Sequence, residues 1–230
     1  MAKIVQEIKD ALEFYLALGY ERMPIQLKVD RGRRGVADKE SSMVLLRDEI
    51  GDCRRCKLSQ KRTHIVFGEG NADARLMFIG EAPGREEDIQ ARPFVGEAGM
   101  LLTRLIEKMG LKRENVYIAN IVKCRPPLNR DPERDEIEQC RGFLERQIDI
   151  ISPDIIMSLG RIAASTLMGN EKLKITAIRG EIFDYRGIPL VPTFHPAYLM
   201  RNPKDKWLTW NDAQKVLERL EWGTQNQEGG

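Results

Sequence analysis

The sequence lacks the features that would assign it to a broad class at once. It has no apolar run of membrane length and no signal-peptide pattern, so a cytoplasmic location is the default expectation. Its 37 basic and 35 acidic side chains leave a formal net charge of +2, and charge alone therefore does not indicate a nucleic-acid partner. With 42% hydrophobic residues among 230, the chain can bury the core of one domain with an extension.

Cysteine is scarce, and its spacing is informative. The four cysteines form a C-x2-C pair and a C-x15-C pair: Cys53, Cys56, Cys124 and Cys140. In a reducing cytosol such thiols favour metal binding over disulfides. Four thiolates can complete the coordination of one zinc ion or one iron–sulfur cluster, and the spacing alone does not name the metal.

The course of the chain suggests an extension followed by one domain. Residues 3–18 have apolar side chains at helical spacing, and an Arg- and Gly-rich segment follows. We therefore interpret residues 1–38 as a helical extension with a linker and residues 39–222 as the main domain. The polar segment 223–230 is expected to be a disordered tail.

Strands and helices alternate within the main domain. Short apolar runs at 76–79, 116–119 and 155–159 predict buried strands, and 181–185 with 188–194 predict a strand pair. This alternation indicates an α/β fold with a mainly parallel sheet. In such sheets ligands bind beyond the carboxyl ends of the strands. Three sets of candidate residues lie there: Gly80 to Gly84, Asn120 and His195.

These motifs, taken in order, resemble those of the family 4 uracil-DNA glycosylases, the iron–sulfur branch of the uracil-DNA glycosylase superfamily. The resemblance covers about residues 39–220 and includes the four-cysteine spacing. The matching segments are Gly80-Glu81-Ala82-Pro83-Gly84, Arg92-Pro93-Phe94-Val95-Gly96, Asn120 with Cys124-Arg125-Pro126-Pro127, and His195-Pro196.

The resemblance implies a three-layer α/β/α fold around a four-stranded, mainly parallel sheet. It also implies that the four cysteines hold a 4Fe–4S cluster. The implied activity is hydrolysis of the N-glycosidic bond of deoxyuridine in DNA, by a monomer acting on single- or double-stranded substrate. No membrane partner is expected.

The resemblance gives the two candidate catalytic residues their roles. Glu81 would position or activate the attacking water, and its carboxylate would stabilise positive charge on the sugar. His195 would donate a hydrogen bond to O2 of the departing uracil anion. Without the resemblance, Glu81 would be an ordinary loop carboxylate and His195 a structural loop histidine.

Two further residues would hold the base. Phe94 would stack on the extruded uracil, and the Asn120 amide would pair with O4 and N3–H of its edge. Cytosine presents the reverse pattern at those two positions, so the amide would discriminate against it. The alternatives are a core aromatic and an asparagine that satisfies the backbone at a strand end.

The remaining candidates would shape the pocket and grip DNA. Gly80, Ala82 and Gly84 belong to the loop that would approach the substrate closely, since glycine permits such approach. Glu87 would lie near the pocket mouth and is the candidate to block the methyl group of thymine. Leu199 falls where the superfamily often has a leucine that enters the DNA stack, although it could instead pack in the core.

Two other functions stay open. A covalent uracil-DNA cross-linking relative would need a Lys-Arg-Arg-Ile-His loop, whereas residues 125–130 here contain no histidine. A non-catalytic iron–sulfur protein that binds DNA would need the cysteines but not Glu81, Asn120 or His195. No lysine is positioned by the motifs as a nucleophile, so the implied glycosylase would be monofunctional.

Overall fold

The computed structural model of the protein describes residues 36–225 and the side chains of residues 39–221. The predicted helix at 3–18 and the Arg- and Gly-rich segment up to residue 35 lie outside the described residues. The first described helix, α1 (Val36–Ile50), runs through the boundary that we predicted between residues 38 and 39. That boundary is therefore not a break in secondary structure.

The fold is built on one sheet, which has six strands within residues 36–225. The strands are β1 (Glu69–Gly70), β2 (Leu76–Gly80), β3 (Tyr117–Asn120), β4 (Ile155–Leu159), β5 (Phe183–Tyr185) and β6 (Ile188–Thr193). Their order is β1-β3-β2-β4-β6-β5, with β3, β2, β4 and β6 mutually parallel. The expected parallel sheet is thus confirmed. The short antiparallel strands β1 and β5 extend it at the edges, so the sheet is wider than the four strands expected.

The remaining helices follow the strands. They are α2 (Arg85–Gln90), α3 (Glu97–Lys108), α4 (Arg134–Ile151), α5 (Arg161–Met168), α6 (Ile175–Ile178), α7 (Pro196–Arg201) and α8 (Lys206–Gln225). Helix α8 continues to Gln225, into the segment from residue 223 that we expected to be disordered. Residues 226–230 lie outside the described part of the chain.

The sheet is covered on both faces, which makes the fold three-layered. Along β2, Met77 and Ile79 pack in a cluster with side chains of α1 and α4, whereas Leu76 and Phe78 pack in a second cluster with α3 and α8. Successive strand side chains point to opposite faces, so one apolar run serves both layers. This burial on both sides explains why β2 and β4 are buried throughout.

The parallel register brings the strand ends to one rim. Gly80 at the end of β2 pairs with Asn120 at the end of β3, and Leu159 of β4 pairs with Thr193 of β6. The loops that follow these strands therefore share an edge of the sheet. Within the described residues, no helix is both long enough and apolar enough to cross a membrane.

Candidate active site and cysteine cavity

Gly80 provides the space in which an aromatic ring and an amide meet. A Cβ atom added at Gly80 would lie 2.4 Å from Cζ of Phe94 and 2.5 Å from Oδ1 of Asn120. Any side chain at this position would therefore displace one of the two. The structure brings Phe94 and Asn120 together at the rim, as the motifs predicted.

The Asn120 amide is buried without a partner. Its residue is 1% exposed, and neither Oδ1 nor Nδ2 has a hydrogen-bond partner among the described residues. Buried polar atoms are nearly always paired, because an unpaired donor or acceptor costs about 1–3 kcal/mol. The arrangement therefore suits a ligand that offers one acceptor and one donor.

Phe94 is held in a conformation that few non-glycine residues adopt. Its φ is +52°, in the left-handed region. Two guanidinium contacts fix the turn: Arg113 donates to the carbonyl of Phe94 at 3.1 Å and to that of Pro93 at 2.8 Å. A Cβ at Gly99 would lie 2.0 Å from the Phe94 carbonyl, so this glycine is required there. Such over-determined strain is typical of functional sites.

Glu87 also holds the turn that carries Phe94 in place. Its Oε1 accepts hydrogen bonds from the backbone N–H groups of Val95 and Gly96, both at 2.9 Å. A Cβ at Gly84 would lie 2.6 Å from the other oxygen, Oε2. Glu87 thus links the loop after β2 to the turn that carries Phe94, a role that sequence reasoning missed.

His195 lies beside Phe94 and has a defined tautomer. The two ring centroids are 5.8 Å apart, with the planes tilted by 37°. Nδ1 of His195 accepts a hydrogen bond from the backbone N–H of Ala197 at 3.1 Å, so the proton of the neutral ring is on Nε2. Burial lowers the pKa of His195 to about 4, and the charge of Arg201 adds to this effect. The imidazole is therefore a neutral donor at neutral pH.

Glu81 follows Gly80 directly and titrates near neutrality. Burial, together with the nearby Asp131 carboxylate, raises the pKa of Glu81 to about 7, and Arg161 acts in the opposite direction. Asp131 forms an ion pair of 3.0 Å with Arg161, the first residue of α5. A carboxyl group with such a pKa can accept a proton from water, which is the property a general base needs.

Two other candidates do not face a ligand. Ala82 is partly buried against the core cluster on the side of α1 and α4. Leu199 is 3% exposed within α7. Leu199 is therefore packed in the core in the free protein, which matches the alternative to the wedge role predicted for it.

The four cysteines line one small cavity that is partly open to solvent. All four are free thiols: Cys53, Cys56, Cys124 and Cys140. Within residues 36–225, no three His, Cys, Asp or Glu side chains close around a point as the ligands of a single metal ion would.

Two of the four sulfurs have hydrogen-bond donors, although burial raises the pKa of both thiols. The backbone N–H of Lys123 donates to Sγ of Cys140 at 3.3 Å, and Arg62 donates to Sγ of Cys124 at 3.5 Å. Arg55 also lines the cavity. Hydrogen bonds and positive charge at the sulfurs are features that stabilise iron–sulfur clusters.

Lys123 connects the cysteine cavity to Asn120 at the rim of the sheet. It is 0% exposed, and its Nζ donates to the backbone carbonyl of Asn120 at 3.0 Å and to Oε1 of Gln147 at 2.6 Å. Burial lowers the pKa of Lys123 to about 8, while Cys140 acts in the opposite direction. Nothing in the sequence pattern marked this lysine, because one partner is a backbone carbonyl and the other, Gln147, lies on α4.

Comparison with known families defines the class of protein. Residues 67–220 match the model of the uracil DNA glycosylase superfamily. This segment includes the rim residues and two of the four cysteines. The chain therefore belongs to the uracil-DNA glycosylase superfamily.

Curated relatives narrow the assignment. The type-4 uracil-DNA glycosylase of Thermotoga maritima is 49% identical over 165 residues, 71% of this chain and 86% of the relative. That of Saccharolobus solfataricus is 50% identical over 188 residues, 78% of this chain and 87% of the relative. That of Archaeoglobus fulgidus is 41% identical over 177 residues, 74% of this chain and 89% of the relative. The type-4 branch predicted from the motifs is confirmed.

Proposed function

We propose that this protein is a monofunctional uracil-DNA glycosylase that hydrolyses the N-glycosidic bond of deoxyuridine and so starts base-excision repair. The observation that carries the proposal is the Asn120 amide, which is buried and unpaired beside the ring of Phe94. Nδ2 would donate to O4 of uracil, and Oδ1 would accept from N3–H. Cytosine has a donor at N4 and an acceptor at N3, so the amide would place donor against donor and acceptor against acceptor.

Phe94 supplies the surface on which the extruded base would rest. Stacking of a base on an aromatic ring contributes about 1–3 kcal/mol and does not depend on base identity. The strained turn at Phe94 is fixed by Arg113 and Glu87, so the ring is in place before the substrate binds. Glu87 remains the candidate that excludes the methyl group of thymine, through its position between Gly84 and Gly96.

His195 would stabilise the leaving group. Cleavage leaves a uracil anion, and the neutral imidazole can donate its Nε2 proton in a hydrogen bond to O2 of that anion. The hydrogen bond from Ala197 to Nδ1 supports this tautomer. No charge on the imidazole is needed, because a fixed donor is effective in a site that excludes water.

Glu81 would act on the attacking water and on the sugar, whereas His195 would act on the departing base. Its ionised form can accept a proton from the attacking water and can stabilise the positive charge that develops on the sugar. Lys123 is not available as a nucleophile, since it is fully buried and bonded to Asn120 and Gln147. The proposed reaction is therefore hydrolysis without a Schiff base.

We further propose that Cys53, Cys56, Cys124 and Cys140 hold a 4Fe–4S cluster as a structural cross-link. The shared cavity and the hydrogen bonds to two of the sulfurs support this ligand set. The cluster would tie the segment after α1 to α4 and would supply no step of the hydrolysis. Iron and sulfide analysis of the purified protein tests it against zinc.

An assay of base release tests the proposed activity. A labelled oligonucleotide with one uracil is incubated with the protein and then with alkali, which breaks the strand at an abasic site. We expect breakage at uracil, but not at cytosine or thymine in matched oligonucleotides. DNA binding without release of uracil would contradict the proposal and favour a non-catalytic DNA-binding protein. An adduct that survives denaturation would favour the cross-linking relative.

We propose that the enzyme acts in the cytoplasm as a monomer, on single- or double-stranded DNA. Basic side chains near α7 would contact phosphates, namely Arg201, Lys204 and Lys206. The salt dependence of DNA binding in variants of these residues measures that contribution.

A further inference from the structure

The most exposed large apolar side chain of the described residues lies in the turn after Cys124. Leu128 is 96% exposed. Its φ is +55° and that of the next residue, Asn129, is +54°, so two consecutive non-glycine residues are in the left-handed region. A leucine is sterically disfavoured there, and no burial of its side chain compensates for the strain.

The turn is nevertheless firmly built. The N–H of Asn129 donates to the carbonyl of Pro126 at 3.1 Å, and Nε of Arg125 donates to Oδ1 of Asn129 at 2.8 Å. Arg130 ends the turn with two hydrogen bonds, of 2.8 and 2.6 Å, to the carboxylate of the buried Glu136. These hydrogen bonds fix the backbone of the turn, and the side chain of Leu128 therefore points into solvent.

The turn borders the side of the rim that carries Glu81. Asp131 follows it directly and pairs with Arg161, and both act on the pKa of Glu81. Leu128 is therefore close in the chain to groups that surround the candidate general base. Leu199 of α7, in contrast, is only 3% exposed.

The charges around the turn suit a nucleic-acid backbone. Arg125 forms no ion pair with any described residue, so its charge is available to a phosphate. The acidic side chains that follow are already paired: Asp131 with Arg161, and Glu133 with Lys57 and Arg130. An apolar tip beside an uncompensated arginine is the combination found where proteins insert a side chain between DNA bases.

We propose that Leu128 is a wedge that enters the base stack of duplex DNA next to the extruded uracil. The inference rests on the proposed glycosylase function. The leucine would fill the space left by the flipped nucleotide and so oppose its return. Single-stranded DNA has no stack of this kind, so the wedge should matter for duplex substrate alone.

The test compares single-turnover uracil release from matched duplex and single-stranded oligonucleotides. Leu128→Gly suits the backbone at φ +55° and removes the side chain, so the variant should be no less stable than the parent protein. We expect its rate to fall roughly tenfold on duplex DNA and less than about twofold on single-stranded DNA. Leu128→Phe should retain most of the duplex rate.

Two variants serve as controls. Leu45→Ala removes an exposed leucine of α1, which is 68% exposed, and should change neither rate. Met200→Ala removes the apolar side chain of α7 that is 38% exposed. A duplex-specific loss in Met200→Ala without one in Leu128→Gly would overturn the proposal.

Two further results would also overturn it. These are an unchanged duplex rate in Leu128→Gly and an equal loss on both substrates. Both leave the glycosylase function intact, because the parent protein still releases uracil. Release from neither substrate by the parent protein would instead defeat the proposed function and this inference with it. As a second readout, 2-aminopurine next to uracil should fluoresce less with Leu128→Gly than with the parent protein, since less unstacking occurs.

Discussion

The rim at Asn120 and the cysteine cavity differ in whether their polar atoms already have hydrogen-bond partners. At the rim, the Asn120 amide is buried and left without partners. In the cavity, sulfurs already accept hydrogen bonds from Lys123 and Arg62. We therefore expect the rim to bind its ligand reversibly and the cavity to hold a permanently bound group. The comparison predicts that variants at the two sites fail differently.

The largest effect on activity is expected from Asn120→Ala. The variant loses both hydrogen bonds to the uracil edge, and sites built on such pairs discriminate by roughly 10⁴–10⁵. We expect uracil release to fall by at least about 10³-fold, while thermal stability does not fall and iron content is unchanged, because no protein group loses a hydrogen-bond partner. The exposed Asn170→Ala is the control and should have full activity. Loss of iron from Asn120→Ala would mean that the two sites are not separable.

The opposite pattern is expected from Cys124→Ser. The variant should lose bound iron and about 3 kcal/mol or more of its unfolding free energy, because a cross-link that closes a long loop is removed. Iron analysis and denaturant unfolding measure the two changes. Full stability without metal would contradict the structural role of the cavity.

Lys123→Met tests the connection between the two sites. The substitution leaves the carbonyl of Asn120 and Oε1 of Gln147 without their donor, at a cost of about 1–3 kcal/mol each. We expect lower stability and, since Asn120 is less well positioned, a roughly tenfold lower kcat/KM for uracil-containing DNA. Lys172→Met, at an exposed position, is the matched control. A stability loss with unchanged kcat/KM would restrict Lys123 to a purely structural role.

The pH dependence of kcat/KM is a smaller effect and distinguishes the two catalytic candidates, Glu81 and His195. Because the pKa of Glu81 is raised to about 7, its ionised fraction grows as pH rises through that value, and kcat/KM should rise with it. The pKa of His195 is lowered to about 4, so no second inflection is expected near neutrality. Glu81→Gln should lower the rate and flatten the profile. A profile that instead falls between pH 6 and about 8 would contradict the roles of both groups.

The same pKa shift has a consequence for stability. The folded-state pKa of Glu81 is about 7, whereas its ordinary value is 4.5, so this carboxyl group lowers the stability of the folded protein as pH rises between the two values, and the loss is complete above the higher one. Glu81→Gln should therefore raise the unfolding free energy at about pH 8 and change it little at about pH 4. Denaturant unfolding at the two pH values checks the sign.

Residues whose position follows from strand order were predictable from the sequence. Gly80 and Asn120 end adjacent parallel strands, so their meeting follows from the register. The contacts of Glu87 and Lys123 were not predictable, since they reach segments that are distant in the chain or backbone atoms that carry no sequence signal. The burial of Leu199 depends on how α7 packs, which apolar spacing in six residues does not determine.

The most direct test is a crystal structure of the protein soaked with free uracil. We predict that the base stacks on Phe94, with O4 bonded to Nδ2 of Asn120, N3–H bonded to Oδ1, and O2 bonded to Nε2 of His195. Uracil bound elsewhere, or an Asn120 amide that stays unpaired beside the bound base, would contradict the central claim that this amide reads the substrate.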